Sequence, residues 1–388
     1  MKKATWLLLC GTLAVCACQK DPVPETEKDA DLTGTPVDVS GFPSSVKKIF
    51  VLNEGGMGSN NATLDFIRTA DGTYVTGAFR KMNPSVGAGL GDVGNDIAVH
   101  GDEVWIAVNN SGIVEVVSAK DEAEIAAVTV PTPRSIAFDD RYAYVTSWAG
   151  AYASGSFDGE GNYTVSDSSN PKGRVYRIDL ATKKVEGSVE VGWQPEGIAC
   201  TGGKIYVANS GGISSQLPPD YAYDNTVSII DVDGFRVVRT VTVEVNLKSV
   251  YADGAGNVYV TTSGNYWDVH TGVYMLEGDG AVRKISDFAS VTAFGDDTLY
   301  CLGTESEFDW GASKREYKGF KVKAGEKTDW DFPVEAVTLY GLAVLDGHTF
   351  LTGDAGDYFN PGTVSCYRDG VRQWSVTAGV CPGHFAAW

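Results

Sequence analysis

The chain ends in Gly379-Val380-Cys381-Pro382-Gly383-His384-Phe385-Ala386-Ala387-Trp388, and this pattern has been met before. Aligned on the proline, Gly379 to Ala386 repeats Gly192-Trp193-Gln194-Pro195-Glu196-Gly197-Ile198-Ala199, and Pro133-Arg134-Ser135-Ile136-Ala137 is a third copy. In both internal copies an aromatic-led strand follows, Tyr144-Val145 and Tyr206-Val207, whereas the last copy has no continuation after it. The matching continuation stands near the other end, in Lys48-Ile49-Phe50-Val51-Leu52. This predicts a ring whose first unit is completed by its last strand.

Working outward, the repeat is counted on its second strand, where an aromatic precedes an apolar residue: Phe50, Trp105, Tyr144, Tyr206, Tyr259, Tyr300 and Phe350. Six of these follow a short apolar strand and a tight turn such as His100-Gly101-Asp102, Thr201-Gly202-Gly203 or Asp346-Gly347; Phe50 alone lacks one. Third and fourth strands read as hairpins, Val175 to Asp179 with Val185 to Val191 and Val364 to Tyr367 with Val371 to Val376, the latter closed by Asp369-Gly370. No helical periodicity lasts beyond two turns, so the chain reads as all-β. Residues 47–388 are too many for one core, and radial repetition removes that difficulty. Four strands in about 50 residues per unit predict a seven-bladed β-propeller, with the C-terminal strand completing blade one and leaving no open sheet edge.

Residues 1–17 read as an export signal: Met1-Lys2-Lys3, an apolar run from Ala4 to Val15, then Val15-Cys16-Ala17-Cys18. The ending resembles a bacterial lipoprotein signal with Cys18 as the lipidated residue; an ordinary cleaved signal peptide is the alternative. Residues 18–46, rich in Asp, Glu, Pro and Thr, read as a flexible acidic tether. Such a chain is anchored to a membrane by lipid rather than spanning it. The net charge of −19 repels a phosphate backbone and argues against a nucleic-acid partner. Outside the signal the cysteines are Cys200, Cys301, Cys366 and Cys381, without CxxC spacing, and read as small apolar strand residues, with a single disulfide left open.

In a four-stranded meander, the connections after strands two and four emerge on one face. Here that face carries long aromatic loops and the other carries short turns. Asn53, Trp148, Tyr152, Trp193, Gln194, Asn209, Tyr223, Tyr266, Trp267, Trp310 and Tyr358 all fall on the loop face. Flat rings interleaved with amides suit a large amphipathic ligand; the alternative is that the rings pack their own loops. Other motifs are weaker. Gly89-Leu90-Gly91-Asp92-Val93-Gly94 matches GxGxxG but precedes a strand, so it reads as an inter-blade loop. Asp158 to Asn162 begins like a calcium loop but has Tyr163 where glycine is required. The four histidines scatter, no metal cluster assembles, and no catalytic motif is recognised. His384, beside the channel, reads as structural, and paired carboxylates such as Asp268 with Asp309 stay open.

The run from Gly192 to Asn209 resembles the repeat of YncE-type propellers. The opening Val51-Leu52-Asn53-Glu54-Gly55, followed by Gly58-Ser59-Asn60-Asn61-Ala62-Thr63-Leu64, resembles more narrowly the propeller lipoproteins of gut bacteria that include the cobalamin-capturing BtuG proteins. That resemblance implies a lipid-anchored protein on the outer membrane, facing the exterior, that passes corrinoids to a TonB-dependent transporter. Cobalamin would be cargo and not a catalytic cofactor. By face, it implies contacts from Trp148, Tyr152, Trp193, Tyr223, Trp267, Trp310 and Tyr358. A glycan-binding or adhesive surface protein is the alternative, and a hydrolase or lyase using channel carboxylates ranks below both.

Overall fold

The computed structural model describes residues 32–149, 155–157, 163–165, 172–211, 224–265, 268–278, 280–307 and 315–388. Seven antiparallel sheets form the ring of a seven-bladed propeller, and a separate two-stranded ribbon pairs Gly155–Phe157 with Tyr163–Val165. In blades 2 to 7 the chain runs from an inner strand to an outer one. The inner strands are Gly94–His100, Pro133–Phe138, Pro195–Thr201, Leu247–Ala252, Val291–Gly295 and Leu339–Val344. Blade 1 takes its inner strand, Pro382–Ala387, from the C-terminus, antiparallel to Lys48–Asn53.

The apolar residues divide into seven cores, one between each pair of neighbouring blades. Phe50 and Leu52 meet Ile97 and Ile106 between blades 1 and 2, and Tyr144 meets Ile198 and Val207 between blades 3 and 4. The alternation of a strand explains this: successive residues of strand two point into different cores. Trp105 enters the core with blade 3 and Ile106 the core with blade 1.

Blade 7 departs from the expected register. Ala98, Ala137 and Ala386 pair with Trp105, Tyr144 and Phe50, but the matching Ala343 pairs with Leu351. The aromatic Phe350 therefore faces blade 6, where it packs with Tyr300, Trp330, Phe332 and Tyr367. Tyr251 stands where the other blades have alanine and stacks on Phe294 of blade 6, ring centroids 5.8 Å apart.

The segment from Thr35 to Val46, expected to be part of a tether, packs on the propeller. Thr35–Pro36 pairs with Thr73 and Tyr74 as a fifth strand of blade 1. Val37, Val39, Phe42 and Val46 then pack on the core between blades 7 and 1, and the Trp374 indole donates to the Asp38 carbonyl at 2.7 Å. Prolines and polar residues between these apolar side chains hide their burial from a composition reading. Residues 1–31, with the expected signal and Cys18, lie outside the described residues, as does the segment from Asp158 to Asn162. The four described cysteines are free thiols.

Candidate functional site

Each inner strand starts on the loop face and runs down the channel wall. In blades 1, 2, 3, 4, 5 and 7 its pairing with strand two carries one extra residue near that start; blade 6 lacks it. A bulge leaves residues unpaired and re-aims their side chains. Counted back from the repeat's alanine, or from Tyr251 in blade 5, the third position is Asn95, Arg134, Glu196, Lys248, Ser290 and Tyr340 in blades 2 to 7. All six line one cavity of about 390 Å³ at the loop-face mouth of the channel.

In blade 1 the same position is Gly383, where a Cβ would lie 2.9 Å from the Tyr340 ring. The vacant place is filled by Glu54, from the loop after strand two. Its carboxylate accepts from the Tyr340 hydroxyl of blade 7 and from Asn95 Nδ2 of blade 2 at 3.3 Å. Arg134 Nη1 donates to Asn95 Oδ1 at 2.6 Å, and its Nε and Nη2 approach Glu196 Oε2 at 2.9 and 2.8 Å. A chain of polar contacts thus runs from Tyr340 through Glu54, Asn95 and Arg134 to Glu196. Lys248 continues the circuit, donating from Nζ to the Ser290 carbonyl at 3.1 Å.

Burial moves the acidities of this ring. It pushes the Glu54 carboxyl up, against hydrogen bonding from Tyr340 and the positive charge of Arg134. Glu196 is also pushed up by burial, with Arg134 opposing. Lys248 is pushed down, because protein walls surround its ammonium even though water touches the side chain. Below the ring, His384 lines both this cavity and a second one of about 490 Å³ that continues down the channel. Burial first, then the positive charges of Lys248 and Arg134, lower its pKa to about 4. Across the same lower cavity, Asp96 accepts from the Ile136 and Ile97 amides at 2.8 and 2.9 Å, and burial raises its pKa to about 6.

Of the residues expected on this face, Tyr358 reaches the mouth: it is 48% exposed and sets its ring edge-on to Tyr340 at 5.8 Å. Trp193 is 42% exposed but borders a separate cleft of about 310 Å³ with Lys172 and Asp224. Four others are buried. Trp148 is buried beneath the Arg134 guanidinium, 4.3 Å from its ring centroid, so it backs the ring without facing a ligand. Gln194 is buried, and its carbonyl accepts from the Ser210 amide and hydroxyl. Asn53 and Asn209 are fully buried at the ends of their strands. Asn209 donates to Thr226 and Ser228, and Asn53 to Thr63 at 3.0 Å. The repeat's glycines exist for these amides: a Cβ on Gly192 would meet Asn209 Cγ at 2.5 Å, and one on Gly379 would meet Asn53 Cγ at 2.7 Å. Tyr152, Tyr223, Tyr266, Trp267 and Trp310 lie outside the described residues.

The polar ring was missed by the sequence reading, although its residues stand inside the repeat that decided the fold. The signal was variation within repetition. Proline and alanine recur in all three copies, while the position after the proline is Arg134 in one, Glu196 in another and Gly383 in the last.

No protein-family profile matches the chain, and no curated protein matches it in sequence. Among solved structures it is similar to Kuenenia stuttgartiensis hydrazine synthase, with a TM-score of 0.56 and 15% identity over 75% of this chain and 88% of that chain. At that identity the likeness extends to the propeller fold alone.

Proposed function

We propose that this propeller captures a ligand on its loop face, with polar groups of the ligand seated in the channel mouth. The observation that carries this reading is the ring itself: side chains from seven blades, five of them aimed by bulges, Ser290 without one and Glu54 from a loop, converge on one cavity. Bulges at the rim of a barrel-like structure commonly serve to aim side chains at a ligand. Corrinoids come first as the ligand class, on the strength of the resemblance in the Asn-Glu-Gly opening. A macrocycle is too large for a cavity of about 390 Å³, so it would lie over the mouth, against Tyr358 and the 85% exposed Phe359, and send side arms inward. In this reading the protein is a lipid-anchored surface receptor that hands its cargo to a TonB-dependent transporter.

A glycan end is the second reading. It is favoured by the mixture of donors and acceptors around the ring, which suits hydroxyl groups. Calorimetric and visible-absorbance titration with cyanocobalamin tests the first reading: heat and a spectral shift are expected, and silence in both at micromolar protein rejects it. A glycan array on the same sample tests the second.

A further inference from the structure

We propose that the ring admits an uncharged group that both donates and accepts hydrogen bonds, a primary amide or a cluster of hydroxyls, and turns away groups carrying a net charge. This rests on the capture reading above and adds what the mouth selects. The chain as a whole carries 50 acidic against 31 basic residues. Its channel mouth does not share that excess: the ring holds Glu54 and Glu196 against Arg134 and Lys248, and farther up the wall Glu307 stands against Arg315. The balance is local to the site.

The balance is also structured. Reading around the ring, acceptor and donor alternate as Glu54, Arg134, Glu196 and Lys248, with the amide of Asn95 and the hydroxyls of Ser290 and Tyr340 between them. An incoming carboxylate cannot approach Lys248 without facing Glu54 and Glu196, both close enough to act on that ammonium. An incoming ammonium meets Lys248 and Arg134 in the same way. Either would surrender its hydration for no net attraction, which is unfavourable in a walled cavity. An amide or a vicinal diol instead offers one donor and one acceptor to a neighbouring pair. Lys248 is prepared for this, since among the described residues its ammonium meets one acceptor, the Ser290 carbonyl. The hydroxyls of Ser135, Ser249, Ser263, Thr304 and Thr338 line the same cavity and read neutral polar groups equally well.

The same chemistry has two sources, the amide side arms of a corrinoid and the hydroxyls of a sugar, and the test separates them. Calorimetry would compare cyanocobalamin with its monocarboxylic acid derivatives, and neutral oligosaccharides with the matching uronic acids, on the wild type, Glu196→Gln and Lys248→Met. On the wild type, the neutral member of the binding series is expected to bind about tenfold or more tighter than its acid. Glu196→Gln leaves the ring with a surplus positive charge and should narrow or invert that ratio, whereas Lys248→Met should widen it. Thermal melts would establish that both variants fold. An acid that binds the wild type as tightly as its neutral parent overturns the proposal, as does a ratio that neither variant moves. Binding by no member of either series overturns the capture reading itself. Which series binds identifies the source.

Discussion

Truncation after Cys381 probes the closure of the ring most directly. It removes a strand paired with Ile49–Asn53 at Ala387, Ala386, Phe385, His384 and Pro382. It also removes three terminal bonds: Lys47 and Lys48 amides to the Trp388 carbonyl at 2.6 and 3.1 Å, and the Trp388 amide to the Lys48 carbonyl at 2.9 Å. With the ladder included, about half a dozen backbone hydrogen bonds disappear, worth on the order of 6 kcal/mol at roughly 1 kcal/mol each. Ile49, Phe50, Val51 and Leu52, none more than 1% exposed, lose cover along one edge. The loss rivals the whole stability of an ordinary domain, about 5–15 kcal/mol. The truncated chain should therefore be unfolded, or should pair its open edge with another molecule. Circular dichroism melts with light-scattering chromatography read both outcomes. Two controls locate the effect in strand pairing. Trp388→Ala keeps the strand and loses the indole bond to Asp102, the Lys47 and Lys48 ammoniums 4.3 and 5.9 Å from the ring and its packing on the core between blades 1 and 2, about 2–3 kcal/mol together. Removing residues 19–30, upstream of the Thr35–Pro36 strand, should leave the melt unchanged. A truncated chain that stays monomeric and melts within about 2 °C of the full one would refute the closure.

Lys48→Met should cost about 3–5 kcal/mol, because it strands the Glu122 carboxylate, whose side chain is 1% exposed; urea denaturation measures it, and a loss below about 1 kcal/mol would contradict the argument. Gly192→Ala should cost about 1–3 kcal/mol by pressing a methyl against Asp224 Oδ2 at 2.2 Å and Asn209 Cγ at 2.5 Å, read from the same denaturation curves. His384→Gln should change how stability depends on pH. His384 stays neutral in the folded protein down to about pH 4 against an ordinary 6.5, so its share of stability is lost as pH falls through that window. Asp96, with its pKa raised to about 6 from 3.8, takes up its proton earlier folded than unfolded and contributes the opposite slope. The wild type sets one against the other. The variant loses the His384 slope, keeps that of Asp96 and of the other carboxyls pushed up by burial, Glu54 and Glu196 among them, and should gain up to about 3 kcal/mol on the wild type between pH 7 and pH 4; stability curves that run parallel would reject this.

The sequence by itself determined the architecture. Alternating strands, tight turns and the Gly-x-x-Pro-x-x-apolar-Ala copies are local patterns, and they suffice for seven four-stranded units and for the partnership of Pro382–Ala387 with Lys48–Asn53. Hydrophobic alternation is read along a few residues, so it survives without knowledge of neighbours. What lies around those strands was less legible. Phe350 looked like the seventh aromatic of the series, yet pairing assigns that place to Leu351, because strand register is set by the partner strand. Asn53 and Asn209 looked like amides for a ligand, yet they sit buried against Gly379 and Gly192. The ring at the channel mouth was decided by tertiary structure alone. Its members come one from each blade, some 40 to 60 residues apart in the chain, and bulges turn five of the seven inward. Glu54 enters from one end of the propeller sequence to fill the space that Gly383 leaves at the other. Circular closure makes those two ends neighbours, and the repeat that reveals the closing strand carries no mark of the side chain that crosses to it.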